Sequence, residues 1–245
     1  INRVMEESHG THVAGIVSQI SPFAKLMILR TVPAGDEYDK DVALAIRYAA
    51  DNGAKIINCS FGKSFSPNRK WVEEAVLYAE SKGALIVHAA GNESEDLDVL
   101  KNTNYPDDQP GSNTEFASNF ISVGALAPYF NQGLIADFSN YGKEKVDLFA
   151  PGEDIYSSMP NGVFAFQGGT SMAAPVVSGV AAWIAAYFPK HHGSDLKKIL
   201  MDSSIRLPIN VLTPNNEQIN SFARFSKSGG IVNLYNALLL AQNRY

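Results

Sequence analysis

The chain has 245 residues, 45% of them hydrophobic and 18% charged, with 19 Gly and 12 Pro. That is enough apolar sequence for a sizeable core, and it excludes a disordered or collagenous chain. With 20 basic against 25 acidic side chains the formal charge is −5, and Cys59 is the single cysteine; the first offers no positive field for nucleic acid or an anionic membrane, and the second excludes an internal disulfide and a cysteine-based zinc cluster.

Residues 1–8 carry Arg3, Glu6 and Glu7 among few apolar side chains, so they have neither the basic start nor the apolar run of a signal peptide and have the look of a cut end. Beyond them, residues 25–32 read as a strand. Residues 39–52 read as a helix, with Val42, Ala45, Ile46 and Ala49 at helical spacing and Gly53 beyond. A buried strand over 54–58 follows, then a helix over 68–82 with Val72, Ala75, Val76 and Ala79 on one face, then a strand over 84–90. Residues 93–119 are acidic, Asn-rich and Pro-containing, the composition of a long surface loop. Strands resume at 120–126 and 146–149, and 155–166 reads as a hairpin around Pro160-Asn161-Gly162. The uncharged stretch 171–188 is interrupted by Pro175, Ser178 and Gly179 and has no basic flanks, which reads as a buried core helix and not a membrane span. Amphipathic helices over 194–203 and 231–242 complete a chain without internal repeats. Strands alternating with helices predict an α/β fold, and one domain over 1–245 is the simplest division.

Three segments put polar groups where a strand or loop meets a helix. In Ser8-His9-Gly10-Thr11-His12-Val13-Ala14-Gly15 an imidazole stands at a helix start beside small residues, and an imidazole suits general acid and base work. His9 and His12 lack both a Glu between them and a third ligand, so metal binding is the weaker reading. In His88-Ala89-Ala90-Gly91-Asn92-Glu93 an apolar strand runs into Gly-Asn; alone this is an ordinary turn, but the Asn92 amide is also a neutral donor for a developing oxyanion. In Gly168-Gly169-Thr170-Ser171-Met172-Ala173-Ala174-Pro175 a serine stands at a helix N-terminus. A simple N-cap has no use for two preceding glycines and a proline four positions later.

Together these segments resemble the subtilisin-like serine peptidases, and the likeness extends through Ile57-Asn58-Cys59-Ser60-Phe61-Gly62, Ala150-Pro151-Gly152 and Ser228-Gly229-Gly230-Ile231-Val232-Asn233. The resemblance implies a doubly wound fold, a mainly parallel β-sheet with helices on both faces. It implies a serine endopeptidase acting on polypeptides through an acyl-enzyme, with Ser171 as nucleophile, His9 as base and the Asn92 side chain in the oxyanion hole. Ser60, Phe61 and Gly62 would pair with the substrate backbone, Ala90, Gly91 and Gly169 would line the cleft, and Asn104, just before Tyr105-Pro106, would stand at the base of the pocket for the residue preceding the scissile bond. It further implies an extracellular or envelope location, a pro-segment made with the enzyme, and no required cofactor.

The family's triad Asp precedes its His in an Asp-Ser/Thr-Gly context. No Asp occurs among the eight residues before His9, and no Asp-Ser/Thr-Gly occurs in the chain. The expectation is therefore a domain that is N-terminally incomplete, with an upstream segment supplying the Asp and at least one strand, weak or absent activity in these residues alone, and dimerisation through an exposed sheet edge. The insertion after Gly15 that forms a calcium site in many relatives is missing; the acidic clusters at 93–98 and 107–108 are solvated loops first and weak calcium ligands second. The alternative from another class is a non-catalytic peptide-binding module. A chymotrypsin-like double barrel does not fit the helical pattern, and an NAD-binding protein lacks Gly-x-Gly-x-x-Gly after its first strand.

Overall fold

The structure is a computed structural model that describes residues 8–32, 35–112 and 114–244. Glu6 and Glu7 lie outside them. Its strands are β1 (Ile56–Cys59), β2 (Leu85–Ala89), β3 (Phe120–Leu126), β4 (Leu148–Pro151), β5 (Ile155–Ser158), β6 (Phe164–Gln167), β7 (Ile205–Arg206), β8 (Asn210–Leu212), β9 (Ile219–Ser221) and β10 (Gly230–Ile231). Its helices are α1 (His9–Ile20), α2 (Asp39–Asp51), α3 (Arg69–Ser81), α4 (Thr170–Tyr187), α5 (Gly193–Asp202) and α6 (Leu234–Asn243). The central sheet runs β1-β2-β3-β4-β10-β7, parallel except for β7. Two hairpins, β5-β6 and β8-β9, stand outside it.

The parallel strands are apolar at nearly every position because both faces are covered. Along β2 the pleat sends Leu85, Val87 and Ala89 into one core with α4, α5 and α6, and Ile86 into a second core with α2 and α3. The sheet is thus doubly wound. Helix α4 crosses β1, β2, β3 and β4, and buries Met172, Ala173, Val177, Ala181 and Ile184 against them. It is the one described helix long and apolar enough to cross a membrane, and 61% of it is buried inside the protein. Gly179 admits Ile20 of α1, whose carbonyl accepts a 2.7 Å hydrogen bond from Trp183 Nε1.

Three predicted segments turn out differently. Residues 25–32 form no strand: none of their backbone groups makes a hydrogen bond within the described residues, and Leu26, Met27 and Ile28 are 41%, 41% and 73% exposed. A strand needs a partner, and among the described residues β1, at the end of the sheet, pairs with β2 alone. Residues 93–119 are irregular, as a loop should be, but they are not simply a surface loop, since Leu97, Asp108, Gln109, Ala117 and Asn119 are buried. The ammonium of Lys197 on α5 holds this segment, lying 3.0 Å from Glu115, 3.7 Å from Asp108 and 3.5 Å from Asp147, while Lys145 pairs with Asp107 at 2.8 Å. Burial pushes the Asp108 carboxyl up to about 8; Glu115, though also desolvated, is held below its ordinary range by Lys197. Finally, the last helix starts at Leu234 instead of 231, because Gly230–Ile231 pairs with β4 and β7 and the Asn233 side chain caps the helix by accepting from Asn236 N.

Candidate active site

The segments that follow β1 and β2 and the start of α4 meet at the carboxyl end of the parallel strands, where open α/β sheets place their ligand sites. Ser171 is the second residue of α4. Pro175 has no N–H, so the Ser171 carbonyl lacks its helical donor; Ser60 Oγ supplies one at 2.8 Å. The Ser171 hydroxyl donates in turn to the Ser60 carbonyl at 3.1 Å. Ser60 Oγ is itself placed by Asn58 Nδ2 at 2.8 Å, and Asn58 Oδ1 accepts from Ser178 of α4 at 2.9 Å. This chain of hydrogen bonds locks the helix start onto the 60–62 segment.

Asn92 is held by its oxygen. Its Oδ1 accepts from Thr170 N at 2.8 Å and Thr170 Oγ1 at 3.0 Å, which turns the amide NH2 away from α4. A Cβ built on Gly169, whose φ is +152°, would stand 3.6 Å from both Asn92 Nδ2 and Ser171 N. Asn92 Oδ1 stands 3.7 Å from the same position; because that oxygen is engaged by Thr170, the NH2 is the part of the amide able to meet an oxyanion at the helix start that carries Ser171. The loop carrying Asn92 is clamped from below by buried Asn140, whose Nδ2 donates to Ala90 O at 2.9 Å and whose Oδ1 accepts from Glu95 N at 2.8 Å. Gly91, at φ +101°, gives its N–H to Thr170 Oγ1 at 3.0 Å, and any side chain there would collide with Asn140 and Glu93. Buried His88 secures the other wall: burial lowers its pKa to about 4, and the neutral ring donates from Nε2 to Phe61 O at 2.9 Å.

His9 opens α1. The C-terminal Ile20 of α1 packs at Gly179 and Trp183, and the ring of His12 reaches Ala165 O at 3.1 Å, just before α4. Running back roughly 16 Å along α1, at 1.5 Å per residue, therefore brings His9 to the same end of the helix pair as Ser171. Desolvation by surrounding protein, and secondarily His12, hold the His9 imidazole below its ordinary pKa, so it is neutral and able to accept a proton. Among the described residues no hydrogen bond joins His9 to Ser171 and no carboxylate hydrogen-bonds His9.

Asn104 lies beside Gly62 and Gly91, and its Nδ2 donates to Ala89 O at 2.9 Å. Lys63 and Tyr105 pair in an antiparallel bridge that seats it there. Among the described residues no group of three or more His, Cys, Asp or Glu side chains is disposed to hold a metal ion; of the acidic clusters, Asp98 accepts from Glu144 N and Lys145 N at 3.1 Å, and Asp107 and Asp108 face lysines. Cys59 is buried, and its thiol is pushed up to about 12, too high for a nucleophile. Thr170, Asn58, Ser178 and Asn140 were not singled out from the sequence. The available signal was weak: a polar side chain inside an apolar strand or helix must find a hydrogen bond.

Residues 2–229 match the model of the subtilase family of peptidases. The chain is 38% identical over 194 residues to a thermophilic serine proteinase of Bacillus sp. (strain AK1), covering 73% of this chain and 43% of that protein. It is 33% identical over 211 residues to a cell wall-associated protease of Bacillus subtilis (strain 168), covering 81% of this chain and 21% of that protein. The chain thus spans less than half the length of either curated relative. Among solved structures, a cold adapted subtilisin-like serine proteinase superposes with a TM-score of 0.70 at 26% identity, covering 90% of this chain and 74% of that one. Its fold, its order of motifs and these relatives together establish that the chain belongs to the subtilase family.

Proposed function

We propose that the chain forms the greater part of a serine endopeptidase domain. The observation that carries this reading is the Asn92 amide, fixed through its oxygen by Thr170 at the helix start that carries Ser171. Ser171 Oγ attacks the scissile carbonyl while its proton passes to His9, and the carbonyl oxygen, now an anion, settles between the two donors. As the C–N bond breaks, His9 returns the proton to the leaving amine. Water then enters, loses a proton to His9 and attacks the ester carbonyl; as the ester C–O bond breaks, His9 returns the proton to Ser171 Oγ and the acid product leaves. Polypeptide lies extended between the 60–62 and 90–92 segments and hydrogen-bonds to their backbones. None of these steps uses a cofactor. A cell wall-associated relative supports action outside the cytoplasm or at the envelope.

His9 has no carboxylate partner among the described residues, so activity from these residues alone is weak. Loss of the triad Asp lowers kcat by ~3 × 10⁴ in subtilisin itself, roughly 6 kcal/mol. Among the described residues the outer edge of β1 has no partner and segment 25–32 makes no backbone hydrogen bond, which supports a reading in which a further segment supplies both a strand and the carboxylate; until it does, a second copy can pair with the same edge. The Ser171 hydroxyl bonded to Ser60 O and not to His9 favours one alternative, a peptide-binding module without turnover. Hydrolysis of a chromogenic peptide decides between them. Slow turnover that Ser171→Ala abolishes, raised by orders of magnitude in the longer natural protein, is the expected result. No turnover in either form, with peptide still bound, would leave the binding module.

A further inference from the structure

We propose that the buried carboxyl of Asp108 is a proton-operated latch: while it holds a proton the 107–117 segment lies closed against α5 and the residues leading into β4, and when the proton is lost the segment lifts. The latch needs only the charged cluster around Lys197. Its consequence for the cleft wall rests on the proposed peptidase reading, since Asp108 and Asn104 line one narrow cleft with His88.

Among the described residues the cluster does not balance. Two cations, Lys197 and Lys227, serve three carboxyls, Asp108, Glu115 and Asp147, and the neighbouring Lys145 is taken by Asp107 at 2.8 Å. With all three carboxyls ionised, one negative charge would be left uncompensated inside the protein, which costs more than keeping a proton. The distances show which carboxyl keeps it. Glu115 Oε1 has both ammoniums, at 3.0 and 2.5 Å. Asp147 Oδ1 stands 3.5 Å from Lys197, and its Oδ2 accepts from Ser122 N at 2.7 Å. Asp108 is the farthest from Lys197, at 3.7 Å; its Oδ2 makes no hydrogen bond among the described residues, and the side chain is buried. Desolvation, helped by Asp147, Glu115 and Asp107 and opposed by Lys197, raises its pKa to about 8.

The segment moves as one piece. Phe116 N donates to Asp108 O at 2.9 Å, which closes residues 108–116 into a loop, and Gln109 Nε2 ties that loop to Glu144 O at 3.0 Å. Lifted into water, Asp108 returns to its ordinary pKa of 3.8. The closed form therefore binds one proton more than the lifted form at every pH between 3.8 and about 8. Closure is complete at the acid end of that window and weakens steadily toward its alkaline end. Above it both forms are ionised and the dependence stops.

Hydrogen exchange of the chain, read by mass spectrometry, tests this without requiring turnover. After correction for the intrinsic exchange rate, the opening constant of peptides from 107–117 is expected to rise about tenfold per pH unit from about pH 5 to about pH 8 and then to level off, one proton leaving per opening. Peptides from β2 and β3 serve as the reference that stays flat. Asp108→Asn keeps the shape of the side chain without its charge, and is expected to hold 107–117 closed at the same level throughout. Carboxyl-carbon NMR follows the proton in the unaltered chain, so the test does not depend on the variant folding: one Asp carboxyl is expected to titrate near 8. An opening constant indifferent to pH, the same rise in Asp108→Asn, or Asp carboxyls that all titrate below about 6 would overturn the proposal. None of these readings involves Ser171, so a failed latch leaves the peptidase reading standing, and a chain without turnover leaves the latch.

Discussion

The two halves of the candidate site are built to different standards. On the Ser171 side every polar group answers to another: Ser60, Asn58 and Ser178 hold the helix start, Thr170 holds Asn92, and buried Asn140 holds the loop beneath it. On the His9 side the imidazole stands at a helix start, and among the described residues no carboxylate hydrogen-bonds it and neither residues 25–32 nor the outer edge of β1 finds a pairing partner. The oxyanion geometry depends on helix and loop groups within the chain. Orientation of the base depends on a group the described residues do not provide. On the proposed reading the contrast leaves a preorganised charge-stabilising site served by an unanchored base, from which slow turnover is expected.

Substitutions on each side should sharpen this contrast, and the largest effect belongs to the Ser171 side. Asn92→Ala should slow acylation of Ser171 by a fluorophosphonate about 10²–10³-fold, the range known for loss of one oxyanion donor in subtilisin, about 2.7–4 kcal/mol. The Lys197 cluster comes next, since it anchors the loop that carries Asn104. Lys197→Met leaves Asp108, Asp147 and Glu115 without their shared cation and should cost about 3–5 kcal/mol in urea unfolding. Comparable loss from the conservative Lys197→Arg would show that packing, not charge, holds the loop.

His88 gives the wall beside Phe61 a pH dependence. Its folded pKa, about 4, is depressed below the ordinary 6.5, so its contribution is complete above 6.5 and is lost as the pH falls toward 4. The loss should reach about 3 kcal/mol and should disappear in His88→Gln. The smallest effect is expected on the other side. Ile28 is 73% exposed, and Ile28→Lys should reduce self-association in size-exclusion with light scattering while shifting unfolding by less than about 0.5 kcal/mol. Unchanged association would place the contact between copies elsewhere.

What the sequence made legible follows the same division. The apolar runs of β2 and β3 and the spacing of Val72, Ala75, Val76 and Ala79 located strands and helices to within one or two residues, because periodicity reports burial directly. The His9, Asn92 and Ser171 segments were visible because small residues beside polar ones have few structural uses. Residues 25–32 carry the pattern of a strand without pairing as one among the described residues, because pairing is a property of the neighbour and not of the segment. The burial of the 93–119 segment was hidden because its acidic residues are satisfied by Lys197, Lys145 and Lys227, which lie 50 or more residues from most of their partners in sequence or on other elements entirely. Asn140 and Thr170 looked like ordinary polar residues, since only the fold reveals that each holds a backbone group of the site.

The most direct measurement is the rate of fluorophosphonate labelling of the purified chain, with the modified residue located by peptide mapping and with Ser171→Ala and Asn92→Ala as controls. The account predicts modification at Ser171 alone, none in Ser171→Ala, and a rate at least 10²-fold lower in Asn92→Ala, because on the proposed reading the nucleophile and its oxyanion donors are assembled even though the described residues give His9 no carboxylate. No labelling at Ser171, or labelling indifferent to Asn92, would contradict it.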